Sequence, residues 1–243
     1  IDLHSLPETN ILAFISRARY RLLANRESRS IDILSNFRPR PPKEDKSKHL
    51  TEKYLDVLRP LGITHAERTF RLVGPSAELE YVREKYFSDR AASTVGIFPG
   101  AGHPSRRWPL EKFAELAARL DSDGFRTAVF LGPEEEEMKT RVRSLFPAQT
   151  VVIDDLLIPG LAAAARFLSV VITNDTGTMH LAACAGAPIL LLLDSRAPDT
   201  YLPLADALEV VRGQPINDIT VERAYEAARS LLAPSGSARN DKA

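Results

Sequence analysis

Cysteine is nearly missing from this chain: Cys184 stands alone among 243 residues. A single thiol excludes an intrachain disulfide and removes thiolate metal clusters, so a reducing cytoplasm is the simplest compartment. The five histidines are scattered without metal-ligand spacing, and no metal site is expected. Net charge is missing as well, because 32 basic and 32 acidic residues cancel. No global field therefore draws the chain to nucleic acid or to an anionic membrane, and any anion site must be local. No apolar run approaches the length of a membrane span, and the N-terminus has no basic region followed by an apolar segment. No Gly-x-Gly-x-x-Gly follows a strand, which weakens a dehydrogenase-like reading. The opening Ile1-Asp2-Leu3-His4 has no initiator Met and reads as the end of a buried strand, so the chain is expected to begin inside a domain.

The apolar content, 44%, suits one large or two modest domains with ordinary cores. The pattern divides near residue 90. In 1–90 we expect strand-like runs at Ile1 to Leu3 and Tyr20 to Leu23 and an apolar helix around Asn10 to Ser16. The Arg38-Pro39-Arg40-Pro41-Pro42-Lys43 segment is expected to be an exposed loop. A helix follows with Leu50, Tyr54, Leu58 and Leu61 on one face and Gly62 as terminator, then one capped by Ser76 and carrying Leu79, Val82 and Tyr86. Residues 91–233 alternate more regularly. Val95 to Phe98, Thr127 to Leu131, Thr150 to Ile153, Ser169 to Ile172 and Ile189 to Leu193 read as buried strands separated by helices. The helix from Pro109 should bury Phe113, Leu116, Ala117 and Leu120, and the last helix carries Ala224, Ala227, Ala228 and Leu231. Repeated βα units imply an α/β fold with a parallel sheet that binds ligands beyond its carboxyl edge. Residues 234–243 are polar, and a disordered tail is expected.

Three loops fall at that edge. Pro99-Gly100-Ala101-Gly102-His103-Pro104-Ser105-Arg106-Arg107-Trp108-Pro109 delivers two guanidinium groups just before a helix, which suits phosphate. Gly132-Pro133 followed by Glu134 to Glu137 offers a carboxylate to a ribose or sugar hydroxyl. Asn174-Asp175-Thr176-Gly177-Thr178-Met179-His180 opens a helix, whose unpaired N–H groups and positive dipole end hold an anion. Gly177 lets a ligand approach the backbone closely, and Thr176 and His180 add hydrogen-bond donors. Each loop also has a purely structural reading. The glutamate run can complement a helix dipole, Asp175 can cap the helix, His180 can be a core histidine, and one of Arg106 and Arg107 can be a solvated surface charge. Cys184, among alanines, reads as packing.

Taken together, Phe98-Pro99-Gly100-Ala101, Arg106-Arg107-Trp108-Pro109, Leu131-Gly132-Pro133 and above all Asn174 to Ala183 resemble glycosyltransferase family 9, which includes the ADP-heptose:lipopolysaccharide heptosyltransferases. The resemblance runs from residue 1 to about 232. It implies a GT-B architecture: a Rossmann-like C-terminal domain (91–233) that binds the nucleotide sugar, beside an incomplete Rossmann-like, acceptor-side N-terminal domain (1–90). It also implies inverting transfer of a heptose-like sugar, with no metal or cofactor, from an ADP-sugar to a lipopolysaccharide-core or related glycan. The protein would then be cytoplasmic, with peripheral contact at the cytoplasmic face of the inner membrane. By carry-over, Asp175, Thr176, Gly177 and His180 contact the sugar and diphosphate, Ala101 and Arg106 occupy the phosphate loop, and Glu135 or Glu136 meets the ribose. The family commonly has lysine where Arg106 stands, and a Phe-Gly-Pro-Thr-like turn where Asp194-Ser195-Arg196-Ala197-Pro198 stands. Its general base, an aspartate on an earlier strand and loop, has no match here and is expected upstream of Ile1. The alternative is a non-catalytic nucleotide-sugar-binding module of the same descent.

Overall fold

The computed structural model describes residues 1–26, 30–67, 71–88 and 93–233; the expected tail at 234–243 lies outside the described residues. The chain forms two compact units, residues 1–68 with 198–202, and residues 69–197 with 203–243.

The first unit holds helices α1 (Pro7–Ile15) and α2 (Leu50–Leu58). Its expected strands shrink to single parallel bridges, Asp2 with Leu23 and Asn25 with Lys43. The reason is local: the Asp2 carboxylate accepts the N–H groups of His4 and Ser5 at 3.0 and 2.9 Å, which turns the chain out of the extended state. Helix α1 buries only Asn10, while Ile11, Leu12, Phe14 and Ile15 are exposed. On α2 the buried residues are Asp56 and Val57; the expected stripe is half-buried at Leu50, Tyr54 and Leu58 and exposed at Leu61. Asp56 accepts Lys48 Nζ at 2.7 Å and Arg59 Nε at 2.8 Å, so an ion cluster replaces part of the apolar seam. Gly62 ends the following 3-10 turn in the left-handed region at φ 79°, which a residue without Cβ adopts freely.

The second unit begins with α3 (Ser76–Tyr86), then β1 (Thr94–Phe98), α4 (Leu110–Ser122), β2 (Arg126–Phe130), α5 (Glu136–Leu145), β3 (Val151–Ile153), α6 (Ile158–Ala165), β4 (Leu168–Thr173), α7 (Gly177–Ala185), β5 (Ile189–Asp194), β6 (Leu208–Gly213) and α8 (Val221–Leu232). Helix α3 packs on α6 and so belongs here; the units divide at 68/69, ahead of the boundary expected near residue 90. Pro75, not Ser76, precedes α3 as its N-cap, and no side chain caps it. Likewise Pro109 caps α4 from outside, and the helix then buries Phe113, Leu116, Ala117 and Leu120 as expected.

All six strands are parallel, in the order β3-β2-β1-β4-β5-β6. That is the doubly wound order, whose direction reverses between β1 and β4. The core behind the sheet joins Val95, Ile97, Val170, Ile172, Leu190 and Leu192 to Phe113, Leu116 and Leu120 of α4 and Ala224 and Ala228 of α8. On α6, Ala162 to Ala165 are all buried, small enough for a helix that contacts α3, α7 and β4 together.

Candidate functional site

The site lies at the carboxyl ends of β1 and β4, where the strand order reverses and the loops leave in opposite directions. Pairing of Phe98 with Thr173 brings the two strand ends level, so the loops after them start side by side.

The loop from β1 returns to the core at Trp108. That residue is 1% exposed, its Nε1–H donates to Ile219 O at 3.0 Å, and its ring meets Phe113 edge-on at 4.9 Å. Between Phe98 and Trp108 the chain makes a 3-10 turn, Pro104–Arg106, capped by His103 Nδ1 accepting Ser105 N–H at 3.2 Å. The two arginines then separate. Arg107 Nε donates to Ala101 O at 2.9 Å, inside the loop. Arg106 points outward, its side chain 61% exposed, and meets Asp175 at 3.3 Å. Ala101 is buried at 3% exposure, so what it offers the crevice is backbone.

The loop from β4 is short. Thr176, extended at φ −153° and ψ 161°, is the N-cap of α7, and its hydroxyl makes no capping bond. Gly177 opens the helix, and a Cβ on it would meet no atom within 4 Å beyond its chain neighbours and its own helix backbone. Gly177 and Thr178, the first residues of this nine-residue helix, follow closely on Asp175, which meets Arg106, while Met179 N–H is already taken by Thr176 O at 3.2 Å. Asp175 is not the cap; it pairs across to the β1 loop. His180, one turn into α7, is exposed, which overturns the reading of a core histidine.

Glu135 and Glu136 diverge. Glu135 Oε2 accepts Gly132 N–H at 2.8 Å, and its carboxyl lies over Gly100, joining the β2 loop to the β1 loop. Glu136 is turned to Lys139 at 2.6 Å on the surface of α5. The geometry therefore brings Ala101, Arg106, Glu135, Asp175, Thr176, Gly177 and His180 to one sheet edge, and leaves Glu136 on a helix face.

Two features escape sequence reasoning. Asn174, fully buried, bonds both ends of the β1 loop. The only signal was an amide directly after an apolar strand. The Asp194-Ser195-Arg196 turn after β5 is also tightly built: Arg196 Nε and Nη2 each reach the Asp194 carboxylate at 2.8 Å, and its N–H does so at 2.9 Å. These guanidinium and amide contacts hold the Asp194 carboxyl well below the usual carboxylate range. Among the described residues no group of three or more His, Cys, Asp or Glu is placed to hold a metal ion, and no helix is long and apolar enough to cross a membrane.

A doubly wound sheet with an anion-binding helix terminus is common to many chemistries, so relatives must narrow it. The lipopolysaccharide heptosyltransferase 2 of Salmonella typhimurium is 25% identical over 222 residues, covering 77% of this chain and 62% of its own length. The chain thus spans less than two thirds of that curated relative. A solved glycosyltransferase family 9 structure from Veillonella parvula superposes with a TM-score of 0.81 at 25% identity, covering 96% of this chain and 72% of the other. The E. coli ADP-heptose lipopolysaccharide heptosyltransferase II shares the fold, with a TM-score of 0.71 at 19% identity and coverages of 93% and 74%. The fold is thus of the GT-B type. The sequence model of glycosyltransferase family 9 (heptosyltransferase) matches residues 1–227, from the first bridge into α8, and the loops it spans include both halves of the candidate site; the chain belongs to that family.

Proposed function

We propose that this protein is an inverting, metal-independent glycosyltransferase that moves a heptose-like sugar from an ADP-sugar to a lipopolysaccharide-core or related glycan at the cytoplasmic face of the inner membrane. The observation that carries this reading is the juxtaposition of Arg106 with the open N-terminus of α7 at the β1/β4 reversal. Transfer leaves a nucleoside diphosphate that gains negative charge as the glycosidic bond breaks. The N–H groups of Gly177 and Thr178, the Arg106 guanidinium and the His180 imidazole then stabilise that charge without a metal. A carboxylate cannot share the diphosphate's position, so Asp175 orients Arg106 and accepts from a sugar hydroxyl. Glu135, at the β2 loop, accepts from the ribose. No carboxylate of residues 1–243 is assigned as the base that deprotonates the acceptor.

Support comes from family membership and from the names of the relatives, which are lipopolysaccharide heptosyltransferases. The test is calorimetric titration of the complete protein with ADP, ADP-heptose and a panel of other nucleotide sugars, followed by transfer to a lipopolysaccharide-core acceptor with and without EDTA. Binding of ADP-heptose in preference to uridine-based sugars, with transfer that survives chelation, is the expected result. Strict metal dependence removes the metal-independent mechanism, and tight binding without transfer leaves the non-catalytic module.

A further inference from the structure

Asn174 is the first residue beyond β4 and is 0% exposed. Its Nδ2 donates to Pro99 O at 2.8 Å and, more weakly, to Gly100 O at 3.4 Å, where the β1 loop begins. Its Oδ1 accepts Trp108 N–H at 3.0 Å, where that loop ends. Asn174's own carbonyl accepts Thr173 Oγ1–H at 2.9 Å, which fixes the backbone from which the amide projects. A single planar carboxamide thus closes the Pro99–Trp108 loop on itself and binds it to β4. The next residue in the chain is Asp175, and the loop so closed carries Arg106. No aliphatic side chain supplies both a donor and an acceptor, and a carboxylate would face two carbonyls with no hydrogen to give.

We propose that Asn174 is a positioning residue for the diphosphate site: it sets Arg106 in register with the N-terminus of α7 and does not itself touch the sugar nucleotide. The inference rests on the nucleotide-sugar reading of the β1/β4 edge. The loop has a second anchor, since Trp108 is independently held by Ile219 and packed on Phe113. Loss of the amide therefore frees the loop's geometry while its end stays in the core.

The experiment is a double-mutant cycle on the complete protein, with ADP as the titrant and near-ultraviolet circular dichroism as the check on the fold. Asn174→Ala and Arg106→Ala are each expected to weaken ADP binding by about tenfold, the scale of one hydrogen bond to a charged group. In the double variant the losses should not multiply, because Arg106 contributes little once its loop is out of register. A merely structural residue gives independent, multiplying losses, and that result overturns the proposal. So does wild-type ADP affinity in folded Asn174→Ala. If Asn174→Ala does not fold, Asn174→Asp keeps the acceptor for Trp108 N–H, removes the donor, and carries the same cycle. A wild-type protein that binds neither ADP nor ADP-sugars instead overturns the functional reading, and this proposal with it.

Discussion

The carboxyl group of Glu135 occupies the space that a side chain at position 100 would need: a Cβ on Gly100 would stand 2.8 Å from Glu135 Cδ. Glycine at this point of the β1 loop therefore leaves room for the acid of the β2 loop, which any larger residue would displace. Gly100→Ala should push Glu135 away from Gly132 and lower affinity for the nucleoside part of the ligand several-fold. Calorimetry with ADP and with inorganic diphosphate separates the effects; a loss for both would assign the damage to the phosphate loop.

At Gly177 the opposite holds. Beyond its chain neighbours and its own helix backbone, no atom lies within 4 Å of the position a Cβ would take, and the backbone is not left-handed. Alanine at the first turn of a helix also favours the helix. Gly177→Ala should leave the melting temperature unchanged or slightly raised and still reduce ADP binding by tenfold or more, because the methyl group meets the diphosphate. Full ADP affinity in this variant would show that nothing approaches the α7 terminus.

Glu135 and Glu136 differ in what they face, so their glutamine variants should differ in effect. Glu135→Gln keeps one acceptor oxygen for Gly132 N–H but turns the other carboxylate oxygen into a donor and removes the charge, and is expected to weaken ADP binding about threefold to tenfold, one hydrogen bond's worth. Glu136→Gln removes an exposed ion pair with Lys139 and should change neither binding nor stability beyond a few tenths of a kcal/mol. Equal effects on ADP binding from the two would contradict the separation.

Acid should weaken the second unit. Arg196 holds the Asp194 carboxyl below its ordinary range, and Lys85 and Tyr86 do the same to Asp155. A carboxyl depressed in the folded state binds fewer protons there than when unfolded. The stabilisation is therefore complete above the unfolded value, about 3.9, and is lost as pH falls below it. Melting temperature should decline below about pH 4, and Asp194→Asn should flatten that decline while lowering stability at neutral pH. An unchanged slope in the variant would place the acid sensitivity elsewhere.

The parallel sheet was legible because β1, β2, β4 and β5 are short apolar runs and the helices between them keep strict spacing. Strand β6 was not: at the sheet's edge it sets the adjacent Val210 and Val211 between Glu209 and Arg212, with neither a continuous apolar run nor a clean alternation. The first unit was harder still, because polar pairs organise it. Asn10 Nδ2 donates to Asp32 Oδ1 at 3.1 Å and Ser5 Oγ accepts Ala24 N–H at 2.7 Å, and such contacts leave no periodic trace. In the site, glycine, arginine and the helix start could be read from local chemistry. The choice between neighbouring arginines or neighbouring glutamates could not, since it depends on which residue the 3-10 turns swing toward the crevice.

The pairing of β1 with β4 also governs how the protein comes into being. Strand β1 can pair with β2 early, but its other edge has no partner through the synthesis of β2, β3 and three helices, until Thr173 has left the ribosome. Contacts so distant in sequence form late and slowly. The crevice at the β1/β4 edge is thus among the last features of its unit to assemble, and a nascent chain halted before β4 would carry the unpaired edge of a strand that is fully buried in the finished fold, open to association with other chains.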